Sequence, residues 1–223
     1  MNSKKKKKSC IIGILDLQGG VCEHLDHLQR LGIIARKVKQ ASDFHNLAGL
    51  IIPGGESSCM SRLINIFKIK EPLLEAYARG MKIWGTCAGA ILLAKHVVGE
   101  DSCLGLIDIE IERNSFGSQL DSFKIDALIP QVAEDPVPMT FIRAPKIWKT
   151  GKDVKVLLKI DDYIAAAESN NILVTVFHPE LTGSLAFHQF FAVKCGLNPS
   201  VKTDGHIDGQ WNNYSWTRLA RSA

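Results

Sequence analysis

The chain alternates between short, almost wholly apolar runs and stretches where apolar residues recur at helical spacing. Ile11 to Leu17 (IIGILDL) is nearly continuous apolar sequence, the pattern of a strand buried on both faces. Gln18-Gly19-Gly20 turns the chain. Val21, Leu25, Leu28 and Leu31 then share one face of a helix that Gly32 ends. Ile33 to Val38 reads as a second strand, and Leu50 to Ile52 as a third that stops at Pro53-Gly54-Gly55. Helices are expected from Ser58 to Ile66 and from Pro72 to Arg79, the latter with proline in its first turn. Lys82 to Trp84 is a short strand, Gly85 to Gly89 a tight turn, and Ala90 to Lys95 a helix. Ile172 to Phe177 is a further buried strand ending at His178-Pro179-Glu180, and Leu185 to Lys194 is a closing helix.

Strand, turn and helix repeated in this way predict an α/β fold of three layers, with a mainly parallel central sheet between flanking helices. The stretch from about Leu104 to Ala167 has a different rhythm. Short strands (Leu106 to Ile111, Thr140 to Ile142, Val154 to Ile160, Tyr163 to Ala167) are joined by proline-containing turns. They are expected to add a partly antiparallel segment to the same domain. The pattern fades from Asn198 onward, so the chain divides into a Lys-rich flexible tail (1–10), one domain (11–197) and a polar extension (198–223) that carries Trp211, Tyr214 and Trp216.

Charge and cysteine content narrow the function classes. No apolar run approaches the ~20 residues that cross a bilayer, and no apolar segment follows the N-terminal lysines as in a signal peptide. The formal charge of +4 arises at Lys4 to Lys8; without those five the chain carries −1. The basic balance is therefore no argument for nucleic-acid binding. The six cysteines form no CxxC pair, so metal-ligand spacing is absent, and reduced cytoplasmic thiols are the expectation. Neither a metal nor a cofactor is expected. His24 and His27, three apart on a helix, lack a third ligand and read as a solvated helix face. Cys22, Cys59, Cys103 and Cys195 read as small packing residues.

Three segments carry chemistry. Gly85-Thr86-Cys87-Ala88-Gly89, between a strand and a helix, has the form of a nucleophile elbow. Its sharp turn strains the backbone at Cys87, its small neighbours allow that turn, and the helix aims its positive end at the sulfur. His178-Pro179-Glu180 supplies a base and an acceptor to orient it. In an extended segment His178 and Glu180 point to the same side, and Pro179 stiffens that arrangement. Pro53-Gly54-Gly55-Glu56-Ser57 offers backbone N–H groups for an oxyanion hole, with Glu56 and Ser57 able to cap the next helix. Arg113-Asn114-Ser115-Phe116-Gly117 and Phe141-Ile142-Arg143-Ala144-Pro145 each place an arginine where it could grip a carboxylate.

Taken in order, with Gln18-Gly19 at the start and Phe177-His178-Pro179-Glu180-Leu181 at the end, these motifs strongly resemble the glutaminase subunits of pyridoxal 5′-phosphate synthases, which are triad glutamine amidotransferases. The resemblance covers about Ile11 to Leu197. It implies hydrolysis of L-glutamine to glutamate and ammonia, with Cys87 as nucleophile, His178 as general base and acid, and Glu180 as its orienter. It places Gly55, Glu56, Ser57, Arg113, Ile142 and Arg143 at the glutamine site. It implies an oxyanion hole built from the Gly54-Gly55 turn and Ala88. Gln18 falls on the loop that faces a partner synthase, and the assembly it implies is hetero-oligomeric. Asp16 stands where a small or polar residue is usual, and Ser58-Cys59 where two threonines are common. A triad glutaminase serving another synthase is the alternative, against which the RNSFG and FIRAP segments argue. A non-catalytic regulatory subunit would have no need of Cys87, His178 and Glu180 together.

Overall fold

The computed structural model describes residues 10–113 and 122–200. Strands β1 (Ile11–Leu15), β2 (Ile34–Val38), β3 (Leu47–Ile52) and β4 (Lys82–Thr86) are interleaved with helices α1 (Val21–Arg30), α2 (Ser57–Ile66) and α3 (Lys70–Ala78). Helix α4 (Ala88–Leu93) runs directly into β5 (Ala94–Val97). The middle stretch holds β6 (Ile107–Glu112), β7 (Ser122–Ala127), β8 (Val137–Ile142), β9 (Lys146–Thr150), β10 (Lys155–Ile160) and β11 (Tyr163–Glu168). β12 (Ile172–Thr175) and α5 (Ala186–Lys194) follow.

The main sheet runs β2-β1-β3-β4-β12-β11-β9-β6-β5, with β10 on β11. From β2 to β12 every pairing is parallel; β12–β11, β11–β9, β9–β6 and β10–β11 are antiparallel. The expected mainly parallel sheet with a partly antiparallel segment is therefore present. β7 and β8 form a second, antiparallel sheet in which Phe123 and Phe141 stack at 4.5 Å, and Phe141 joins it to the core at Phe177, 5.3 Å away.

Side-chain direction in β4 shows how helices cover both faces. Trp84 packs edge-on against His24 of α1 and His188 of α5. Neighbouring residues of a strand point oppositely, and a Cβ on Gly85 would meet Gly89 of α4 at 2.5 Å. Helices α1 and α5 thus share one face and α4 lies on the other. The core follows the same logic: Ile12, Ile14, Leu50, Ile51, Ile83, Leu173 and Val174 are fully buried on strands covered on both sides. Each such side chain contributes about 1.5–3 kcal/mol of transfer free energy.

Element boundaries differ from the sequence reading in places. α3 starts at Lys70, two residues before Pro72, because the first-turn N–H groups of a helix need no intrahelical acceptor and a proline fits anywhere among them. The helix expected at Ala90 to Lys95 begins at Ala88 and ends at Leu93. Ala94 instead pairs with Ile107, and Val97 with Ile111, so the ladder takes residues that the local pattern assigned to a helix. Strands β5, β7 and β9 add to those read from the sequence. The Lys4 to Lys8 tail, the Asn114 to Gly117 segment, and Trp211, Tyr214 and Trp216 lie outside the described residues.

The contact between α4 and the sheet sets the sharpest packing limit. A Cβ on Gly89 would stand 2.1 Å from the Ile52 carbonyl oxygen, which is backbone and cannot turn aside. Gly89→Ala is expected to lower the unfolding free energy by about 3 kcal/mol, measured by urea denaturation. Gly183→Ala, where a Cβ meets nothing within 4 Å, should change it by less than about 0.5 kcal/mol.

Candidate active site

Cys87 sits at the junction of β4 and α4 with φ 48° and ψ −107°, a left-handed conformation that non-glycine residues rarely adopt. Its N–H donates to Thr175 of β12 at 2.8 Å, and its carbonyl accepts from Ala90 at 3.0 Å. The strained turn is thus held from both sides, and the sulfur is directed into a cleft between the ends of β3, β4 and β12. The N–H of Ala88 precedes the first intrahelical bond of α4, so it points forward from the helix end.

His178 follows β12, its N–H donating to Thr140 of β8 at 2.8 Å. Its Nδ1 lies 2.7 Å from Glu180 Oε1. The structure brings Cys87, His178 and Glu180 together, but not through an extended backbone. Pro179–Leu181 forms a single 3-10 turn, and the turn carries Glu180 back beneath the ring. Burial works against charge on His178, yet the facing Glu180 carboxylate and the Cys87 sulfur outweigh it and hold the imidazole well above its ordinary 6.5. Glu180 is also buried, which favours its neutral form; His24 and His178 overcome this and keep the carboxyl below its usual value. Gly54 is required here by close approach: a Cβ would lie 2.4 Å from His178 Cε1 and 3.4 Å from Cys87 Cβ.

The cleft has a volume of about 450 Å³. It is lined by Gln18, Gly54, Gly55, Glu56 and Ser57, by Cys87, Ala88 and His178, and by Arg113, Ile142 and Arg143. Gly19, Gly20, Ile91 and Pro145 complete it; of these, Ile91 carries no motif and is placed only by α4. Glu180 lies behind His178. Glu56 caps α2, accepting from the N–H groups of Ser58 and Cys59 at 3.2 and 2.6 Å, and those bonds hold its carboxyl below the usual range. Gln18 Oε1 accepts from the Glu56 N–H at 2.9 Å. Arg113 donates to Glu56 at 2.8 Å, to both oxygens of Glu100 at 2.7 and 2.8 Å, and to the Ser58 hydroxyl at 2.8 Å. Its guanidinium is thereby fixed at the rim by two carboxylates. Arg143 adopts φ 43° at the end of β8.

Two sequence readings are corrected. His24 and His27 are not on a solvated face: both are buried against α5 and the loop at Thr182, and among the described residues no group of ligating side chains suits a metal. Cys22 and Cys59 are exposed in the first turns of α1 and α2 rather than packed. Asp16 turns toward Lys37 and Lys39 of the β2 edge at 3.4 and 3.1 Å.

The profile of the SNO glutamine amidotransferase family matches residues 14–197. The chain belongs to this family. The family's glutamine hydrolysis is the chemistry that a cysteine, histidine and glutamate in this arrangement can perform. A pyridoxal 5′-phosphate synthase subunit PdxT of Syntrophus aciditrophicus is 60% identical over 210 residues, 94% of either chain. The PdxT of Clostridium kluyveri is 45% identical over 185 residues, 82% of this chain and 98% of that one. A crystal structure of a glutamine amidotransferase, 36% identical, superposes with a TM-score of 0.78 over 83% of this chain and 99% of its own.

The buried histidines make stability depend on pH. Burial holds His24 at about 4, and holds His27 and His188 below 6.5 as well. In the unfolded chain each takes up a proton near 6.5, whereas in the fold it does not, so stability falls as pH drops from 6.5 toward 4. The raised His178 contributes fully below 6.5 and adds no slope in that window. Glu180, held low, releases stability only below about 4.5. The unfolding free energy is therefore expected to fall between pH 6.5 and 5 by up to about 1.4 kcal/mol per pH unit for each buried histidine. His188→Phe should flatten that slope by one histidine's share, read from urea unfolding at several pH values; an unchanged slope would contradict the assignment.

Proposed function

We propose that this chain is the glutaminase subunit of a pyridoxal 5′-phosphate synthase, hydrolysing L-glutamine and passing the ammonia to a synthase subunit in vitamin B6 biosynthesis. The observation that carries the reading is the strained Cys87 facing a histidine that is itself hydrogen-bonded to a buried carboxylate. It stands in a chain 60% identical, over nearly its whole length, to a named PdxT. A regulatory subunit would gain nothing from strain of roughly 1–3 kcal/mol at Cys87.

The chemistry follows from the placement of the groups. The Cys87 sulfur attacks the carboxamide carbon of glutamine. The developing oxyanion is met by the N–H of Ala88 and by N–H groups of the Gly54-Gly55 turn. His178, carrying the proton taken from the thiol, gives it to the departing nitrogen, and ammonia leaves with formation of a thioester. Water then attacks the thioester, His178 accepts its proton and returns it to sulfur, and glutamate is released. Glu180 accepts from Nδ1–H throughout and keeps the other ring nitrogen facing the thiol. Gly55, Glu56, Ser57, Arg113, Ile142 and Arg143 hold the substrate, with Arg143 suited to its α-carboxylate and Glu56 to its α-ammonium. Gln18 braces the Glu56 backbone from the loop that faces the synthase. Residues 11–197 constitute the catalytic domain, and the site of action is the cytoplasm.

A glutamine-like electrophile should add its mass at Cys87, located by peptide mass spectrometry. Cys87→Ala should lower kcat by about 10⁴-fold or more while the fold persists; label on another residue, or retained turnover, would contradict the mechanism. Turnover should also rise when the synthase subunit is added, and equal rates with and without it would refute activation by docking.

A further inference from the structure

The polar groups that begin at Cys87 and His178 continue past Glu180 into the domain. One carboxylate oxygen of Glu180 accepts from His178; the other, Oε2, is buried and has no hydrogen-bond partner among the described residues. His24 Nε2, which also has no hydrogen-bond partner among the described residues, lies 3.6 Å from that oxygen, just beyond hydrogen-bonding distance. On its other side, His24 Nδ1 is 2.8 Å from His188 Nε2. Both rings are completely buried. Trp84 presents its indole to each of them nearly edge-on, at centroid distances of 5.6 and 4.9 Å and interplanar angles of 76° and 72°. His27 lies tilted against His188, 4.4 Å between ring centroids, with its two ring nitrogens facing the carbonyls of Glu23 and Thr182. Three elements thus converge behind the glutamate: α1, α5 and the turn after β12. The charged and titratable groups facing this cluster are Glu180, His178, His27 and Arg30.

We propose that His24 is a positioning residue for Glu180, with His188 fixing its tautomer, so that the Cys87–His178–Glu180 set is extended inward by two neutral histidines. The inference rests on the glutaminase reading above. A neutral imidazole has one N–H and one lone pair. A carboxylate oxygen can only accept, so His24 must place its hydrogen on Nε2 to serve Oε2. Its Nδ1 is then an acceptor, and His188 must donate from Nε2. That leaves His188 Nδ1 as a bare lone pair, and this is the atom that lacks a partner. The donors therefore run in one direction: His188 to His24, His24 to Glu180 and, from the other end, His178 to Glu180. Burial, which holds both inner histidines neutral, agrees with this order. A carboxylate held by His178 at one oxygen and faced by an N–H at the other has less freedom to rotate away from His178 than one held at a single oxygen. The sequence signal was available: His24 follows Val21 by three and precedes Leu28 by four, on the buried stripe of α1.

Two measurements test the proposal on the intact chain. Imidazole nitrogen NMR at neutral pH should find both His24 and His188 protonated on Nε2; a proton on His24 Nδ1 would overturn it. Steady-state kinetics are then taken with the synthase subunit present. His24→Leu is expected to lower kcat by about 10–100-fold with KM for glutamine changed less than about twofold. His24→Gln, which keeps an N–H near the place of Nε2, should recover most of that loss. Equal impairment in both folded variants would mean that packing, not the donor, matters, and would overturn the proposal. Should His24→Leu fail to fold, His188→Phe decides: it keeps an aromatic ring against Trp84 and should still lose kcat several-fold, whereas wild-type kcat would refute the role. Absence of turnover in the wild type with its partner would instead sink the glutaminase reading, while the tautomer measurement would still report on the contact with Glu180.

Discussion

Helix α4 lies so close to β3 and β4 that a single methyl group on Gly85 or Gly89 would overlap backbone atoms. That closeness governs the rest of the site. A helix packed this tightly against the strand that precedes it leaves no room for a gradual loop, and the chain must reverse at one residue, Cys87, in a left-handed conformation. Beneath the turn, β12 pairs with β4 in parallel register and takes the Cys87 N–H on Thr175. Because β12 is the immediate neighbour, the residue that emerges from it, His178, arrives beside the sulfur without any long side chain to reach across. The elbow, the base and the cleft between them are consequences of one interhelical-scale distance set by two glycines.

The polar groups behind the histidine form a second layer of order. Buried charge is tolerated only where partners face it, and Glu180 lies between His178 and His24 of α1, a helix on the face opposite α4. The sheet thus carries the nucleophile's helix on one side and the orienting cluster on the other, with Trp84 as the wall between the cluster and the core. At the rim, the same principle appears in exposed form: the charge of Arg113 is balanced by Glu56 and Glu100.

The parallel half of the sheet was legible because β1, β3 and β12 are buried on both faces and their sequences are correspondingly apolar without interruption. β5, β7 and β9 were not, for physical reasons. Ala94 to Val97 continues a helical pattern locally and becomes a strand only because β6 offers it a partner. Ser122 to Ala127 and Lys146 to Thr150 have at most one covered face, and their polar residues look like loop. The Cys, His and Glu of the site were legible from residue identity, although the 3-10 turn that joins His178 to Glu180 was not the extended segment that the spacing suggested. His24 was misread because Glu23, Asp26 and Gln29 beside it suggest solvent, and what buries it is α5, more than 150 residues later in the chain. The partners of Arg113 were invisible for the same reason of distance.

The pairing of β4 with β12 joins Thr86 to Thr175, positions 89 residues apart (175 − 86). Closing a loop of that length is entropically unfavourable and slow compared with local helix formation. The nascent chain therefore carries Cys87 for a long interval as an ordinary, relaxed cysteine, far from any base. The strained turn at Cys87 and the neighbouring His178 come together only when β12 docks, at the moment when the surrounding core is also complete.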